Sequence, residues 1–396
     1  MSDDYERLSI WDSLLTFHGV LCSVFPPVAH TVTGGVLMKR ESPRFYGLWM
    51  GELPTGLNND ITDVPGVRVG NVSLVKGLGP LIPGQGPIRT GVTAIRPHPG
   101  NMYRQPCWAG IHVLNGFGKS IGVPFVRETG ILNSPILLTN TLSVNDVAQG
   151  LLTYLLQENP EIGNDARTPN LMVLECDDSY LNDIRGRHVK PWDAILALNR
   201  AEKGPIPQGN VGAGIGMSCF QLKGGIGSAS RIIDVLGQPY TFGMLALCNF
   251  GLLDDLIING VPVGLKLSQR VKGEVPGSLI LIGMTNAPLT RWQLERLATK
   301  ASLGLGRTGG VSRTGSGEFC LIVNTNGLSL ETRISDWDLD PFYKAVVETT
   351  AESIWKSLFL AESMEGRDNH RREGIPIAET LRLIHRSSLE YRRLED

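Results

Sequence analysis

The chain has 396 residues, 42% apolar and 19% charged, the balance of a globular protein with length for one large core or two medium domains. A net charge near −2, with no basic stripe, excludes the electrostatic footprint of a nucleic-acid binder. The 47 glycines and 24 prolines follow no repeat, which indicates many turns between short elements rather than low complexity.

Residues 1–48 read as an N-terminal extension. Its stretch IWDSLLTFHGVLCSVFPPVAHTV is mildly apolar, but Asp3, Asp4 and Glu6 precede it where a secretory signal carries positive charge. Asp12 and His18 interrupt it and Pro26-Pro27 end it, so it is too short and too polar to span a membrane. A peripheral helix or mobile extension is expected, on a soluble, cytoplasmic protein without a membrane partner. From Gly51 the texture changes to short strand-like runs bounded by Gly and Pro: VPGVRVGNVSLV, GVTAIRPH, WAGIHVLNG, PILLTNT, NLMVLEC, FGMLALCNFG, SLILIGMTNA and EFCLIVNTN. Several are apolar on both faces, as strands buried between layers are.

Helices are fewer. Ser143 is the expected N-cap of a helix burying Val144, Val147, Leu151, Leu152 and Leu155. Thr290-Arg291-Trp292-Gln293 fits a capping box for a helix burying Leu294, Leu297, Ala298 and Ala301 and stopping near Gly304. Asp340-Pro341 supplies an N-cap and a proline at the first helical position, and the tail from Ile377 reads as a last, charged helix. No linker divides residues 49–396. The expected fold is therefore one α/β (α+β) domain in which helices cover two packed sheets, with a single parallel α/β sheet as the alternative.

Six scattered cysteines without a CxxC pair are expected to be buried free thiols, and no metal or other cofactor is implied, because zinc needs clustered ligands. Two glycine motifs mislead. NGFGKS lacks the glycine a P-loop requires, Val113 standing in its place. GNVGAGIGM has Gly212, Gly214 and Gly216 at the wrong spacing for a dinucleotide fingerprint, and with KGGIGSAS it reads as tight loops where backbone passes close to backbone. His98, His112 and His188 lie in no nucleophile motif, and GxSxG is absent, so a Ser-His-Asp triad has no footing.

Ser278, in PGSLILIG, offers a different chemistry. Cutting the Gly277–Ser278 bond gives Ser278 a free α-amine, tethered to its own hydroxyl, with an ordinary pKa of about 7.7–8.0. That amine can serve as general base, the N-terminal-nucleophile arrangement. Gly277 suits self-cleavage because it leaves its carbonyl open to attack by Ser278 Oγ. Taken alone, a Pro-Gly-Ser sequence is also an ordinary turn before a strand.

Seven blocks in order, NDITDVPGVRVGNVSL, GPIRTGVTAIRPHPGN, HVLNGFGKSIGVPFVRETG, SPILLTNTLSV, GNVGAGIGM, KGGIGSASR and PGSLILIGMTNAPL, together resemble the DmpA family, the L-aminopeptidase/D-esterase-amidases and β-peptidyl aminopeptidases. The resemblance covers the chain from about Gly51 onward. It implies a four-layer αββα sandwich, layered like N-terminal-nucleophile hydrolases but differently connected. It also implies self-cleavage into 49–277, with the extension, and 278–396. Residue by residue, Ser278 matches the nucleophile, Ser316 and Glu318 in TGSGEFCLIV the supporting pair, Asn249 in LCNFG the oxyanion-hole amide, and Tyr180 in DDSYLND the tyrosine lining the site. Asp178-Ser179 departs from the Asp-Gly usual before that tyrosine. The implied activity is a serine aminopeptidase or amidase acting on a small peptide, amide or ester, in a homo-oligomer, tetrameric by resemblance. Two alternatives stand beside it: acyl transfer, as in the related ornithine acetyltransferases with their threonine nucleophile, and a non-catalytic relative.

Overall fold

The structure is a computed structural model, in which residues 40–267, 277–329 and 333–392 are described, with side chains to residue 387. In chain order the strands are β1 (Arg68–Lys76), β2 (Ile88–Arg96), β3 (Cys107–Gly116), β4 (Ile131–Leu132), β5 (Ile136–Asn140), β6 (Met172–Cys176), β7 (Ser218–Cys219) and β8 (Leu222–Lys223). They continue with β9 (Ile226–Val235), β10 (Gln238–Asn249), β11 (Gly277–Thr285), β12 (Ser316–Asn324), β13 (Met364–Glu365) and β14 (Arg371–Arg372). The helices are α1 (Val123–Thr129), α2 (Val144–Glu158), α3 (Pro191–Asn199), α4 (Val263–Lys266), α5 (Arg291–Arg307), α6 (Asp340–Phe359) and α7 (Ile377–Arg392).

Two sheets dominate the described residues. One has the order β1-β2-β5-β6, the other β4-β3-β12-β11-β10-β9. Pairing is antiparallel except at β5–β6 and β11–β12. Both sheets are therefore mixed, and the single parallel sheet kept as an alternative is excluded: hairpins such as β1–β2 and β9–β10 return the chain without a crossover helix.

Three apolar clusters define four layers. Val147, Leu151 and Leu155 of α2 and Ala194 and Leu198 of α3 pack on Val72, Val92 and Leu137 of the smaller sheet. Ile95, Leu138 and Leu174 meet Leu245, Leu247, Ile280, Ile282 and Leu321 between the sheets. Leu294, Leu297 and Ala298 of α5 and Ile354 and Leu358 of α6 cover Leu279, Leu281 and Ile322 of the larger sheet. The order is helix, sheet, sheet, helix, as expected; strands buried on both faces explain the continuous apolar runs.

Local signals held unevenly. The capping box forms: Thr290 accepts from Gln293 N–H, and the Gln293 side chain returns to Thr290 N–H. Ser143 does not cap α2. A 3-10 turn, Thr141–Ser143, runs into the helix, and Asn140 Oδ1 caps that turn by accepting from Ser143 N–H at 2.9 Å. Asp340 does not cap α6 either. The turn Asp336–Asp338 precedes the helix, and Ser335 caps the turn. In both places a short 3-10 lead-in moves the cap upstream. The glycine loops behave as read: a Cβ on Gly225 would lie 2.0 Å from the carbonyl oxygen of Gly209. Lys223 Nζ ties the same loops together through the carbonyls of Gly214, Met217 and Gly224 at 3.1, 2.9 and 2.5 Å. Cys107, Cys176, Cys219, Cys248 and Cys320 are buried free thiols, whereas Cys22 lies outside the described residues.

The boundary expected at residue 48 falls inside a packed segment. Leu48 and Met50 are buried in the outer cluster with α6, and Arg40 Nη1 reaches the carbonyl of Ile375 at 2.9 Å. Residues 1–39 of the expected extension lie outside the described residues. The segment from residue 40 is held by a buried ionic network. Arg231, fully buried on β9, donates to Glu348 Oε2 at 2.7 Å, to Glu352 Oε2 at 2.6 Å and to the Met50 carbonyl at 2.5 Å. Arg44 adds two bonds to Glu352, at 2.7 and 3.0 Å. Burial alone would raise the pKa of Glu352; the hydrogen bond from Arg44 and the charges of Arg231 and Lys356 bring it down to about 2.

Removing one member leaves a buried charge uncompensated. Glu352→Gln is expected to cost about 3–5 kcal/mol in chemical denaturation at neutral pH. Because the folded carboxyl is depressed, its stabilisation is present above the ordinary value of 4.5 and is lost as pH falls toward about 2. The wild-type protein should therefore lose stability across that window, and the variant should lose less.

Candidate active site

The larger sheet places its central strand ends side by side. In the antiparallel pair β10–β11, Asn249 stands opposite Ser278. In the parallel pair β11–β12, Gly277 stands opposite Ser316, Ser278 opposite Gly317 and Leu279 opposite Glu318. Side chains alternate along a strand, so this register sorts the residues by face. Asn249 and Ser278 share the inner face with Leu247 and Ile280, whose cluster fills the space between the sheets. Ser316 and Glu318 share the outer face with Leu279, Leu281 and Cys320, under α5 and α6. The Gly277–Ser278 peptide runs between the two groups.

On the inner face, the residue after β6 reaches the hydroxyl: Asp177 N–H donates to Ser278 Oγ at 3.2 Å. The Asn249 carboxamide is held at both ends. Its Nδ2 donates to the Asp177 carbonyl at 2.7 Å, and its Oδ1 accepts from Ser218 N–H at 2.8 Å. Cys176, whose thiol meets Ser278, is no rival nucleophile: burial, with the Glu175 charge behind it, pushes the thiol well above its ordinary pKa.

On the outer face, Ser316 Oγ donates to Glu318 Oε1 at 2.7 Å, as the two-residue spacing predicts. Glu318 is 3% exposed, and its Oε2 is buried with no hydrogen-bond partner among the described residues. A cleft lined by Gly277, Ser316, Glu318, Phe250, Val311 and Arg313 opens here. Gly277 is dictated by space, because a Cβ on it would lie 2.8 Å from Ser316 Cβ. Pro276, the other half of the turn read from sequence, lies outside the described residues.

The structure thus brings together Ser278, Gly277, Ser316, Glu318 and Asn249. Tyr180 stands on the loop after β6 and makes no hydrogen bond to Ser278 among the described residues. Its ring stacks on His370 with centroids 4.6 Å apart, and the guanidinium carbon of Arg372 stands 3.6 Å from its centroid. The loop 177–180 touches the Ser278 hydroxyl through the backbone of Asp177, three residues earlier. His98 bonds the Gln105 carbonyl and His188 bonds Asp183, so these two stay in their own loops.

Sequence reading missed Asp177 and Ser218, which act through backbone N–H groups that any residue type supplies. It also missed Glu175, a buried carboxylate at the end of β6 that accepts from Lys119 N–H at 2.8 Å and from the Thr141 hydroxyl. Among the described residues no cation is paired with it. A glutamate inside an apolar strand run, LMVLEC, was the available signal.

Known proteins share this arrangement over most of the chain. The model of peptidase family S58 matches residues 59–372. A β-peptidyl aminopeptidase, BapA, of Sphingosinicella microcystinivorans is 37% identical, across 86% of this chain and 90% of its own. The crystal structure of the PH0078 protein from Pyrococcus horikoshii OT3 superposes with a TM-score of 0.85 at 46% identity, covering 88% of this chain and 99% of that one. The L-aminopeptidase D-Ala-esterase/amidase of Ochrobactrum anthropi superposes with a TM-score of 0.81 at 31% identity, with the same coverage. It is described as a prototype of the serine aminopeptidases and a new variant of the Ntn hydrolase fold. The acyl-transfer alternative gains no support from these relatives. With the family pattern running through nearly all of the sandwich, this chain belongs to peptidase family S58 and is a hydrolase of the aminopeptidase type.

Proposed function

We propose that the chain cuts itself between Gly277 and Ser278, and that the freed Ser278 is the nucleophile of a serine aminopeptidase acting on short peptides, amides or esters. The observation that carries this reading is the Oε2 of Glu318, without a hydrogen-bond partner among the described residues and buried beside the Gly277–Ser278 peptide on the face opposite the hydroxyl. A buried carboxylate with an unused oxygen is costly. The intact peptide brings it no charge, but an α-amine at Ser278 supplies donors there.

In the self-cleavage step Ser278 Oγ attacks the Gly277 carbonyl carbon, the C–N bond breaks, and an ester replaces the amide. Water hydrolyses that ester, leaving a carboxylate on Gly277 and an amine on Ser278. In turnover the amine takes the Oγ proton as Oγ attacks the substrate carbonyl. The resulting ammonium is balanced by Glu318, which Ser316 holds in place. Asn249 supports the oxyanion, a contribution of about 3 kcal/mol for one such donor. The ammonium then protonates the leaving amine or alkoxide, and water releases the acyl group by the reverse proton path. The β-peptidyl and L-aminopeptidase activities of the relatives supply the substrate class. With Glu318 committed to the enzyme's own amine, we assign Glu175 to the substrate's ammonium. A cytoplasmic homo-oligomer, tetrameric by the family resemblance, completes the proposal; no described helix is long and apolar enough to cross a membrane.

Active wild-type protein should run on a denaturing gel as two fragments of about 30 and about 13 kDa, apportioning length at about 110 Da per residue. Ser278→Ala should leave one chain; two bands from that variant would point to an outside protease instead. Glu318→Gln should lower kcat by about 100-fold, since the amine loses its counter-charge in the step it serves as base; unchanged turnover would remove Glu318 from the site. Glu175→Gln should raise KM for a substrate with a free amine by about tenfold, roughly one charged contact, with kcat changed less.

A further inference from the structure

The ribbon β13–β14 carries Arg372 into the protein next to the inner face of the site. The residue is 1% exposed. Its Nε donates to Ser218 Oγ at 3.1 Å, and its guanidinium lies over the Tyr180 ring. Both Nη atoms are buried and have no hydrogen-bond partner among the described residues. The adjacent acid, Glu373, is bonded to Arg371 and Ser363. This is a buried cation whose nearest compensation is an aromatic face. Such a charge is unfavourable unless something balances it at some point in the working cycle.

Four residues joined by hydrogen bonds, Ser218, Asn249, Asp177 and Ser278, lead from it to the Ser278 hydroxyl. Ser218 accepts from Arg372 at Oγ and donates its N–H to Asn249 Oδ1; Asn249 Nδ2 donates to the Asp177 carbonyl; Asp177 N–H donates to Ser278 Oγ. The orientation of the Asn249 carboxamide is fixed by the Ser218 N–H on one side and the Asp177 carbonyl on the other, and Arg372 anchors the side chain of Ser218. The N–H on one side of the carboxamide selects its oxygen and the carbonyl on the other selects its nitrogen, so the amide nitrogen is turned toward Asp177 and Ser278. Negative charge arises in this neighbourhood when the acyl oxygen becomes an oxyanion, which is when an uncompensated cation nearby contributes most.

We propose that Arg372 is a positioning residue of the hydrolytic site. By anchoring the side chain of Ser218 it steadies the residue whose N–H holds the Asn249 oxygen, which leaves the amide N–H edge toward Ser278, and its charge favours the oxyanion over the resting carbonyl. This rests on the assignment of Ser278 as nucleophile. If the wild-type protein is neither cleaved nor active, that assignment fails and Arg372 is not at issue.

With a cleaved and active parent, the experiment compares Arg372→Met, Arg372→Lys, Ser218→Ala and the double variant Arg372→Met/Ser218→Ala. Rates are normalised to the cleaved chain measured by mass spectrometry, and thermal melts check the fold. Arg372→Met should lower kcat by about tenfold or more while KM stays within about twofold, the pattern of an interaction made in the transition state. Arg372→Lys, which keeps the charge, should recover part of that loss. Ser218→Ala should lower kcat less, and the double variant should be no worse than Arg372→Met, because both act on one relay. Losses that multiply, or a folded Arg372→Met with kcat within about twofold of the parent, would overturn the proposal. Should Arg372→Met fail to fold, Ser218→Ala decides alone: a lowered kcat at constant KM supports the relay, and unchanged kcat ends it.

Discussion

The register of β11 between β10 and β12 is the constraint on which the site depends. Strand side chains have a period of two, so a slip of one residue would move Ser278 from the inner face to the outer face. It would also set Ser278 rather than Gly277 against Ser316, where no Cβ fits. The register is held from both layers. Leu279 and Leu281 on one face and Ile280 and Ile282 on the other belong to separate cores, and neither set can be exchanged with the other without burying the serine in hydrocarbon. The apolar run LILI after Ser278 is therefore the device that aims the hydroxyl.

A consequence of that register is a division of labour across the sheet. The hydroxyl, the Asn249 carboxamide and the Asp177 amide are on the side where an acyl carbonyl can be polarised. The Ser316–Glu318 pair is on the side that shares only the backbone nitrogen of Ser278 with the hydroxyl. An α-amine is the one group that joins the two sides, since it hangs from the same Cα as the hydroxyl. A side-chain base such as histidine would have to stand on the inner face, where Cys176, Asp177 and Asn249 already close around the serine.

Much of this was legible in the sequence wherever a signal is local. The family resemblance named Ser316 and Glu318, whose two-residue spacing puts them on one face of a strand, apolar runs marked the doubly buried strands, and Thr290 with Gln293 marked a helix start. The N-caps at Ser143 and Asp340 misled because a cap is chosen by backbone conformation: each helix begins through a 3-10 turn whose own cap, Asn140 or Ser335, sits upstream. Tyr180 was named by resemblance, while the contact to the Ser278 hydroxyl comes from the amide of Asp177, which carries no signature. Arg372 was invisible for a third reason. It is more than ninety residues from Ser278 and looks like one of a run of surface charges, RREG, until the ribbon β13–β14 turns alternate residues inward.

Three cations that are deeply buried show how differently the fold treats charge. Arg231 is compensated by Glu348 and Glu352 and joins three elements, so its contribution is structural. Lys223 has no carboxylate but gives its three protons to three carbonyls, each already held in a glycine loop; burial lowers its pKa to about 7 without leaving a donor idle. Among the described residues Arg372 has neither arrangement, and it is the one of the three connected to Asn249 through Ser218. Folds tolerate a broken local rule mainly where chemistry needs it. A donor left idle in the core costs stability in every molecule at all times, whereas a donor left idle beside a nucleophile is idle only between turnovers. The difference between these cations is therefore a matter of location in the sheet, and it follows from the register that puts Asn249 opposite Ser278.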